Sequence, residues 1–345
     1  MTSVAASPAS AQAITRTIQG PDLDGEAPQS DPEQYRRELT GYCYRMLGSA
    51  FEAEDAVQDT LVRAWRGRDG FDGRASLRSW LYRIATNVCI DLLNGRNRRA
   101  LPMDFGPAAP PVHSSLGEPL TEYNWVGPIL DDRVLPAGGD PADLAVARES
   151  IRLAFVAALQ HLPPRQRAVL ILRDVLAWKA AEVSELLDTT VASVTSALQR
   201  ARATLADQHL APSKPAEPMG DGLRALLERY VDTFERYDID AFVALLTEDA
   251  VQSMPPFAIW LHGPKDIGTW MLGPGIGCQG GKMIALEVNG RPGFATYRRS
   301  ESGPGLDPFS LQVLDFADGR VSDITVFLDT PALFPLFGLP PHLDP

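Results

Sequence analysis

The chain has 345 residues, of which 45% are hydrophobic, and carries a formal net charge of −12 at pH 7. This length allows two or three domains, and the composition is ordinary for a soluble globular protein. An acidic chain is a poor candidate for indiscriminate coating of DNA, although it can reach DNA within a larger complex. No apolar run approaches a membrane span, and residues 1–30 lack a signal peptide and are predicted to form a disordered tail.

Three cysteines, Cys43, Cys89 and Cys278, are widely spaced along the chain. They form neither a CxxC pair nor a Cys/His metal motif. We therefore expect no structural disulfide, no metal, no cofactor and no membrane contact, and we expect a protein of the reducing cytoplasm.

An acidic helix followed by a basic one is the first informative feature. Residues 31–60 contain three Arg and seven Asp or Glu, whereas residues 61–100 contain nine Arg and three Asp. A single basic block in an acidic protein suggests a nucleic-acid face. In the acidic helix one apolar stripe is predicted at helical spacing. The stripe contains Ala53, Val57, Leu61, Ala64 and Trp65. The polar face opposite contains Glu54, Asp55, Gln58 and Asp59.

In the basic helix, Trp80, Arg83 and Asn87 flank a second apolar stripe. Aromatic rings, Asn and Arg are the side chains that hold single-stranded bases. The alternative is that these residues are ordinary core-edge or solvated side chains.

The strings AEDAVQDTLVRAW and SWLYRIATNV resemble the promoter-melting and minus-10 region of bacterial sigma factors of the extracytoplasmic-function (ECF) group. The resemblance covers residues 31–100. It implies that the polar face of the acidic helix docks on the clamp helices of the RNA polymerase β′ subunit. It also implies that the following loop and helix hold a flipped minus-10 base, while terminal arginines contact phosphates. The implied minus-10 residues are Phe71, Arg74, Ser76, Trp80, Arg83, Asn87, Arg96, Arg98 and Arg99.

Residues 101–142 are predicted to be a linker, because 13 of the 41 residues from 101 to 141 are Pro or Gly. The apolar residues Tyr123, Trp125, Val126 and Ile129 indicate that part of this linker docks on another surface.

Residues 143–209 predict a helical domain with a helix-turn-helix. Lys179 to Leu187 would be the supporting helix, and Thr190 would cap a second helix that begins near Val191. Such a second helix normally reads base edges in the major groove, although an ordinary three-helix bundle is the alternative. The stretch is similar to the minus-35-reading domain of ECF sigma factors, but at Thr195 and Ala197 that family often has a basic residue. The implied minus-35 residues are Thr190, Ser193, Thr195, Ser196, Gln199, Arg200 and Arg202.

After a second Pro-rich linker, 210–220, residues 221–335 predict a third domain, followed by a tail over 336–345. Two helices, over 221–234 and 239–246, precede four strands, and this order is typical of an α+β domain. The predicted strands are Met283–Val288, Gly293–Arg299, Phe309–Phe316 and Val321–Leu328. The segment is similar to the SnoaL-like fold, a cone of curved sheet closed by helices. The expected fold class is therefore multidomain, with two all-α sigma domains and a C-terminal α+β SnoaL-like cone.

The role of this third domain is left open by the sequence, since the fold hosts enzymes, binding proteins and dimerisation modules. A candidate ligand pocket is lined by Met254, Phe257, Trp260, His262 and Trp270, which equally fit an ordinary core. Asp249, His262 and Asp266 are candidate acid/base residues, with turn, surface and capping roles as the alternative.

The sequence thus predicts a sigma factor, not an enzyme, that directs core RNA polymerase to promoter DNA. The fused third domain would regulate it, by contacting the sigma domains or by binding a small ligand. Two alternatives remain: a stand-alone helix-turn-helix regulator, and a sigma factor fused to a small SnoaL-like enzyme.

Overall fold

Three helices build the N-terminal domain, each with an end that the sequence specifies. The computed structural model describes residues 31–71, 73, 75–207 and 220–344. The first helix ends at Gly48, which has a φ of 71°. Ser49 and Ser76 cap the next two helices, accepting hydrogen bonds from the Glu52 and Ser79 amides. The helices are α1 (Arg36–Leu47), α2 (Ala50–Arg66) and α3 (Leu77–Leu93). The predicted tail 1–30, residues 210–219 of the second linker and Arg74 lie outside the described residues.

The segment after α3 is docked rather than extended. Ala100 pairs with Trp125 in an isolated β-bridge, and Trp125, Val126 and Ile129 are buried as expected. Tyr123 instead remains 55% exposed. Two short helices, α4 (Asp131–Val134) and α5 (Pro141–Glu149), lie within or overlap the predicted linker. The linker therefore packs on the protein: the Gly127 amide donates to the Gly48 carbonyl of the N-terminal domain, and the Ala109 and Leu120 amides donate to the C-terminal domain.

The middle domain contains the predicted helix-turn-helix. Its helices are α6 (Leu153–Gln160), α7 (Pro164–Leu170), α8 (Ala180–Leu186) and α9 (Val191–Asp207), with a π-helical turn over Ile171–Val175. Asp188 takes a φ of 48° in the turn before α9. Thr190 caps α9 by accepting a 3.1 Å hydrogen bond from the Ser193 amide, as the sequence predicts.

The C-terminal domain is a six-stranded mixed sheet with helices. The helices are α10 (Asp221–Arg236), α11 (Ile239–Val243), α12 (Gly263–Leu272) and α13 (Thr330–Leu336). The strands are β1 (Leu246–Ser253), β2 (Trp260–His262), β3 (Lys282–Val288), β4 (Arg291–Arg299), β5 (Leu306–Ala317) and β6 (Arg320–Phe327). Their order is β2-β1-β6-β5-β4-β3, and only the β1–β6 pair is parallel.

The four predicted strands exist, within a few residues at each end, but the predicted helix over 239–246 ends at Val243. Leu246 instead opens β1, because the apolar side chains there pair with β6 in the sheet. The fold class, two helical domains followed by an α+β domain, is confirmed.

One apolar core joins all three domains. Residues from the N-terminal and middle helices pack in the same cluster as Val288, Val313, Phe327 and Leu333 of the C-terminal domain. A second cluster fills the inside of the C-terminal domain. The described residues from 32 to 344 accordingly form one compact unit. Across the residues that the structure describes, no helix is long and apolar enough to cross a membrane.

Candidate polymerase and nucleic-acid interface

The acidic face of α2 is accessible. Asp55 and Gln58 are exposed, and Glu54 and Asp59 are half-buried. Asp59 forms an ion pair of 2.8 Å with Arg63, one turn further along the helix. Such exposed pairs contribute little to stability, so this face is free to meet a partner.

Trp65, which the sequence places on the apolar stripe of α2, is instead 75% exposed, so that part of the expectation is wrong. The buried stripe ends at Ala64, which is 1% exposed. Val62 is exposed on the same helix. A large exposed aromatic residue beside an acidic face is unusual for a solvated surface and is typical of an interface. The missed signal was that Trp65 directly follows Ala64 and so points about 100° away from it.

The loop before α3 brings two predicted minus-10 residues together. The rings of Phe71 and Trp80 lie 4.9 Å apart between centroids. Ser76 instead caps α3. Its hydroxyl oxygen accepts a hydrogen bond from the Ser79 amide, and its hydroxyl donates to the Ser79 hydroxyl at 2.9 Å. Asn87, which lies two turns after Trp80 on α3, is exposed.

Arg83 on α3 is held by the middle domain. Its Nε lies 3.3 Å from the Leu186 carbonyl, and a second guanidinium nitrogen donates to the Glu185 carbonyl. These oxygens belong to the end of α8, whose carbonyls lack intrahelical donors and accept a cation readily. A predicted minus-10 residue is therefore tied to the helix-turn-helix by hydrogen bonds, although its side chain remains exposed.

Aromatic packing extends this contact between α3 and the middle domain. Tyr82 lies 5.0 Å from Trp178, and the Arg78 guanidinium stands 5.1–5.2 Å from both ring centroids. Arg78 also pairs with Glu38 on α1 at 2.9 Å. The burial of these rings stabilises the contact between the two helical domains.

The predicted phosphate-binding arginines are engaged within the protein. Arg96 and Arg99 both pair with Glu52, and Arg99 donates to the Trp125 carbonyl at 2.8 Å. Arg98 lies beside His161 of the middle domain. Arg99 is buried, whereas Arg96 and Arg98 are exposed.

The outer face of α9 is open to solvent. All seven predicted minus-35 residues, Thr190, Ser193, Thr195, Ser196, Gln199, Arg200 and Arg202, are exposed. Val194 and Leu198 are buried on the opposite face, as the periodicity predicts. The Thr195 hydroxyl bonds back to the Val191 carbonyl at 3.0 Å, and Arg202 pairs with Asp174 at 2.7 Å.

The candidate ligand pocket of the C-terminal domain is largely filled by its own side chains. Met254 and Trp270 are buried in the domain core, and Phe257 packs against it. Trp260 donates its indole N–H to the Gly106 carbonyl of the linker at 2.8 Å. His262 is exposed at the start of α12. The candidate acid Asp249 is exposed and Asp266 is half-buried. The burial of Met254 and Trp270 favours the core alternative for these two residues, and the pocket as a whole stays a prediction.

The most connected residue of the domain contacts was missed by sequence reasoning. Asn289, at the β3–β4 turn, is fully buried and has a φ of 56°. Its side-chain amide donates to the Tyr44 hydroxyl at 2.6 Å and to the Ile151 carbonyl at 2.7 Å, and its oxygen accepts the Ile129 amide at 3.0 Å. The turn thus touches α1, the linker and the middle domain at once. The available signal was the Asn-Gly pair between two predicted strands, which is typical of a two-residue hairpin turn.

The next residue of this turn is equally constrained. Gly290 donates its amide to Asp131 at 2.7 Å, and a Cβ there would lie 2.5 Å from the Arg148 carbonyl. Burial raises the pKa of Asp131 to about 6, against the opposing effect of that hydrogen bond. The hairpin fits its site only with glycine at this position.

A cluster of four charges completes the contact between the middle and C-terminal domains. Arg152 and Arg291 each bridge Glu149 and Asp315, with distances of 2.6–3.1 Å. Both arginines are buried, so removing one partner would leave an uncompensated charge. Within the described residues, no group of three or more His, Cys, Asp or Glu could hold a metal ion.

Comparison with known proteins agrees with this arrangement of domains. Residues 33–99 match Sigma-70 region 2, residues 152–205 match Sigma-70 region 4, and residues 227–324 match the SnoaL-like domain. Two sigma-type DNA-binding domains followed by a SnoaL-like domain define the class of protein.

Full-length relatives define the family. The ECF RNA polymerase sigma factor SigG of Mycobacterium tuberculosis is 48% identical over 321 residues, which cover 90% of this chain and 83% of the relative. The ECF sigma factor SigJ of the same organism is 26% identical over 309 residues, covering 85% and 88% of the two chains. The crystal structure of SigJ has a TM-score of 0.56 at 21% identity, covering 90% of this chain and 98% of that one, and so shares the fold. The chain belongs to the extracytoplasmic-function group of RNA polymerase sigma factors.

Proposed function

We propose that this sigma factor is held by its C-terminal domain in a closed arrangement that must open before a promoter is melted. In the open form α2 binds the β′ clamp helices of core polymerase. The 71–76 loop and α3 hold the minus-10 strand, and α9 reads the minus-35 duplex. The protein catalyses no covalent reaction.

The contact between Arg83 and the end of α8 carries this proposal. The minus-10 and minus-35 elements are named for positions about 25 base pairs apart, or about 85 Å of B-form duplex. Here α8, which directly precedes α9, touches α3. Both elements cannot be read at once until these helices separate.

The linker is long enough to permit that separation. Extended at about 3.4 Å per residue, residues 101–141 would span about 140 Å, well beyond the distance between the promoter elements. In the closed arrangement the same residues are fixed on the C-terminal domain. The amides of Ala109 and Leu120 donate to the Trp260 and Pro256 carbonyls at 2.9 Å. Release of the linker is therefore part of opening.

The C-terminal domain supplies the contacts that hold the helical domains together. The Asn289 side chain bonds to both of them, and the Arg152 and Arg291 cluster ties the middle domain to β5. Buried hydrogen bonds of this kind cost about 1–3 kcal/mol each when one partner is left unsatisfied. These contacts support a regulatory role for the domain.

A reversible lock tests the proposal. Arg83→Cys with Glu185→Cys places one thiol on α3 and one on α8, and a cleavable bis-maleimide joins them. The native cysteines are buried, so the exposed engineered thiols react first. Transcription in vitro with core polymerase and fragmented genomic DNA should be absent from the joined protein and should return, from the same molecules, after the crosslinker is cleaved.

A control pair lies within one domain. Glu235 and Lys282 form an ion pair of 2.7 Å between α10 and β3. The same crosslink between Glu235→Cys and Lys282→Cys should leave transcription unchanged. Equal transcription by the joined and cleaved Arg83/Glu185 variant would overturn the closed-state proposal. Absence of core-dependent transcripts from every form, with footprints formed by the protein alone, would instead favour a stand-alone DNA binder.

A further inference from the structure

A cavity of about 530 Å³ lies where the N-terminal domain, the linker and the middle domain meet. The end of α3 forms one wall, the linker around Tyr123 a second, and the α6–α7 region a third. This volume suits a ligand of nucleotide size, since small-molecule sites commonly have volumes of about 300–1,000 Å³.

The lining is strongly basic. Arg96, Arg98, Arg99 and Arg167 contribute to it, and Glu52 is its one acidic residue within the described part of the chain. That carboxylate pairs with Arg96 and Arg99. Among the described residues, Arg98 and Arg167 have no acidic partner, so these two cations favour an anion in the cavity.

Arg98 is not neutralised by its neighbour. Its guanidinium lies 2.8 Å from Nδ1 of His161. Burial and the nearby Arg98 charge lower the pKa of His161, so the imidazole is neutral at physiological pH. Across the described part of the chain, no carboxylate forms an ion pair with Arg98. An incoming anion would find this cation available.

Arg167 is a buried cation with neutral partners. It donates to the Gln160 side chain at 2.7 Å and to the Gln160 and Leu162 carbonyls at 3.1 Å, and it also contacts the Met46 carbonyl. Its Nε has no partner among the described residues. Burial lowers the pKa of this guanidinium to about 10, which reflects the cost of a buried charge without a counterion.

One wall of the cavity is aromatic. The Tyr123 ring is 55% exposed, and the Arg96 and Arg99 guanidinium groups lie 5.5 and 5.9 Å from its centroid. An exposed ring beside a cluster of arginines matches the two halves of a nucleotide, because a base stacks on the ring while phosphates pair with guanidinium groups.

We propose that this cavity binds a nucleoside polyphosphate, with its phosphates on Arg98 and its neighbours and its base on Tyr123. The ligand would contact the N-terminal domain, the linker and the middle domain together, and would stabilise their closed arrangement. Binding is a property of the free protein, so it is tested without polymerase and separately from the function proposed above.

The test is calorimetric titration of the full-length protein with ATP, GTP, inorganic triphosphate and sulfate at matched ionic strength. The nucleotides should bind at about 10–100 μM, triphosphate more weakly, and sulfate not measurably. Arg98→Gln should lower the affinity for the nucleotides and for triphosphate by about tenfold, because it removes one charge-assisted contact. Tyr123→Ala should lower the affinity for the nucleotides but leave the affinity for triphosphate unchanged.

Arg224→Gln is the matched control. Arg224 is an exposed arginine of α10, remote in sequence from the cavity and ion-paired with Asp221 at 3.1 Å. Equal losses in Arg98→Gln and Arg224→Gln, or sulfate competing as well as triphosphate, would reduce the observation to adventitious anion binding. Equal affinity for triphosphate and nucleotides would overturn the role of Tyr123. Displacement of nucleotide by duplex DNA at equal phosphate concentration would identify the surface as part of a DNA track instead.

Discussion

The helices α3 and α9 both have 17 residues and a face predicted to meet promoter DNA, but their surroundings differ. The outer face of α9 is exposed along its length. On α3, Arg83 is tied to α8, and of the arginines that follow α3, Arg99 is buried against the linker. The closed arrangement thus leaves α9, the proposed duplex-reading helix, accessible while it ties α3, the proposed strand-opening helix, to the middle domain. A protein built in this way could find a promoter before it is able to melt it.

Removing the hairpin contact should have the largest effect on this difference. Asn289→Ala deletes three buried hydrogen bonds and places alanine at a positive φ, at a cost of about 3–5 kcal/mol to the closed arrangement. Hydrogen exchange of the linker should therefore rise by about 100-fold or more, and the melting temperature should fall. Gln279→Ala, an exposed amide of the same domain, is the control. Unchanged exchange in Asn289→Ala would show that the hairpin does not hold the domains.

The sequence predicted the helices and strands well because their signals are local. Thr190 caps α9, and alternating apolar residues mark β3 to β6. It failed where neighbours decide the outcome. The exposure of Trp65 and the partners of Arg83 depend on which helix packs beside them. The importance of Asn289 depends on three segments that are distant in sequence. The pocket expected around Met254 stays a prediction, because apolar residues fill a core as readily as they line a cavity and Met254 is buried among others.

Charge reversal on α2 tests the other accessible surface. Asp55→Arg with Asp59→Arg should weaken binding of core polymerase by about 100-fold, because it replaces two exposed carboxylates with cations. The control is Glu228→Arg with Asp232→Arg on α10. These are also acids one turn apart, and Asp232 pairs with Arg236 just as Asp59 pairs with Arg63. Equal affinity of both double variants for immobilised core polymerase would remove the docking role from α2.

The closed arrangement should also depend on pH through Asp131. Burial raises the pKa of this carboxyl to about 6, with Glu287 and Asp132 adding to the effect and the Gly290 amide and Arg148 opposing it. The closed form therefore binds a proton more readily than an open form in which Asp131 is solvated. Protonated Asp131 therefore stabilises the closed form; this stabilisation is fully present at low pH and is lost as the pH rises through about 6. The closed form should be favoured about tenfold more at pH 5 than at pH 7.

Hydrogen exchange of the hairpin, corrected for intrinsic rates, measures this dependence. Asp131→Asn keeps an oxygen acceptor for the Gly290 amide but does not titrate, so its protection should be flat across this range. Asp132→Asn, at the exposed neighbouring position, should keep most but not all of the wild-type slope, because Asp132 makes a minor contribution to the raised pKa of Asp131. A slope that survives in Asp131→Asn would place the titrating group elsewhere.

The smallest effects should separate the two DNA-reading helices directly. Gln199 on α9 is exposed in the closed form and can contact base edges, so Gln199→Ala should weaken binding of the free protein to minus-35 duplex by about fivefold. Asn87→Ala should leave that binding unchanged, because in the proposed function α3 holds a separated strand and not intact duplex. With core polymerase present, the larger effect on melting should come from α3. Asn87→Ala should slow promoter opening, measured by permanganate reactivity, by about fivefold. If Asn87→Ala weakened duplex binding and opening equally, α3 would be a general DNA contact, and the proposed distinction between a free reading helix and a tethered melting helix would fail.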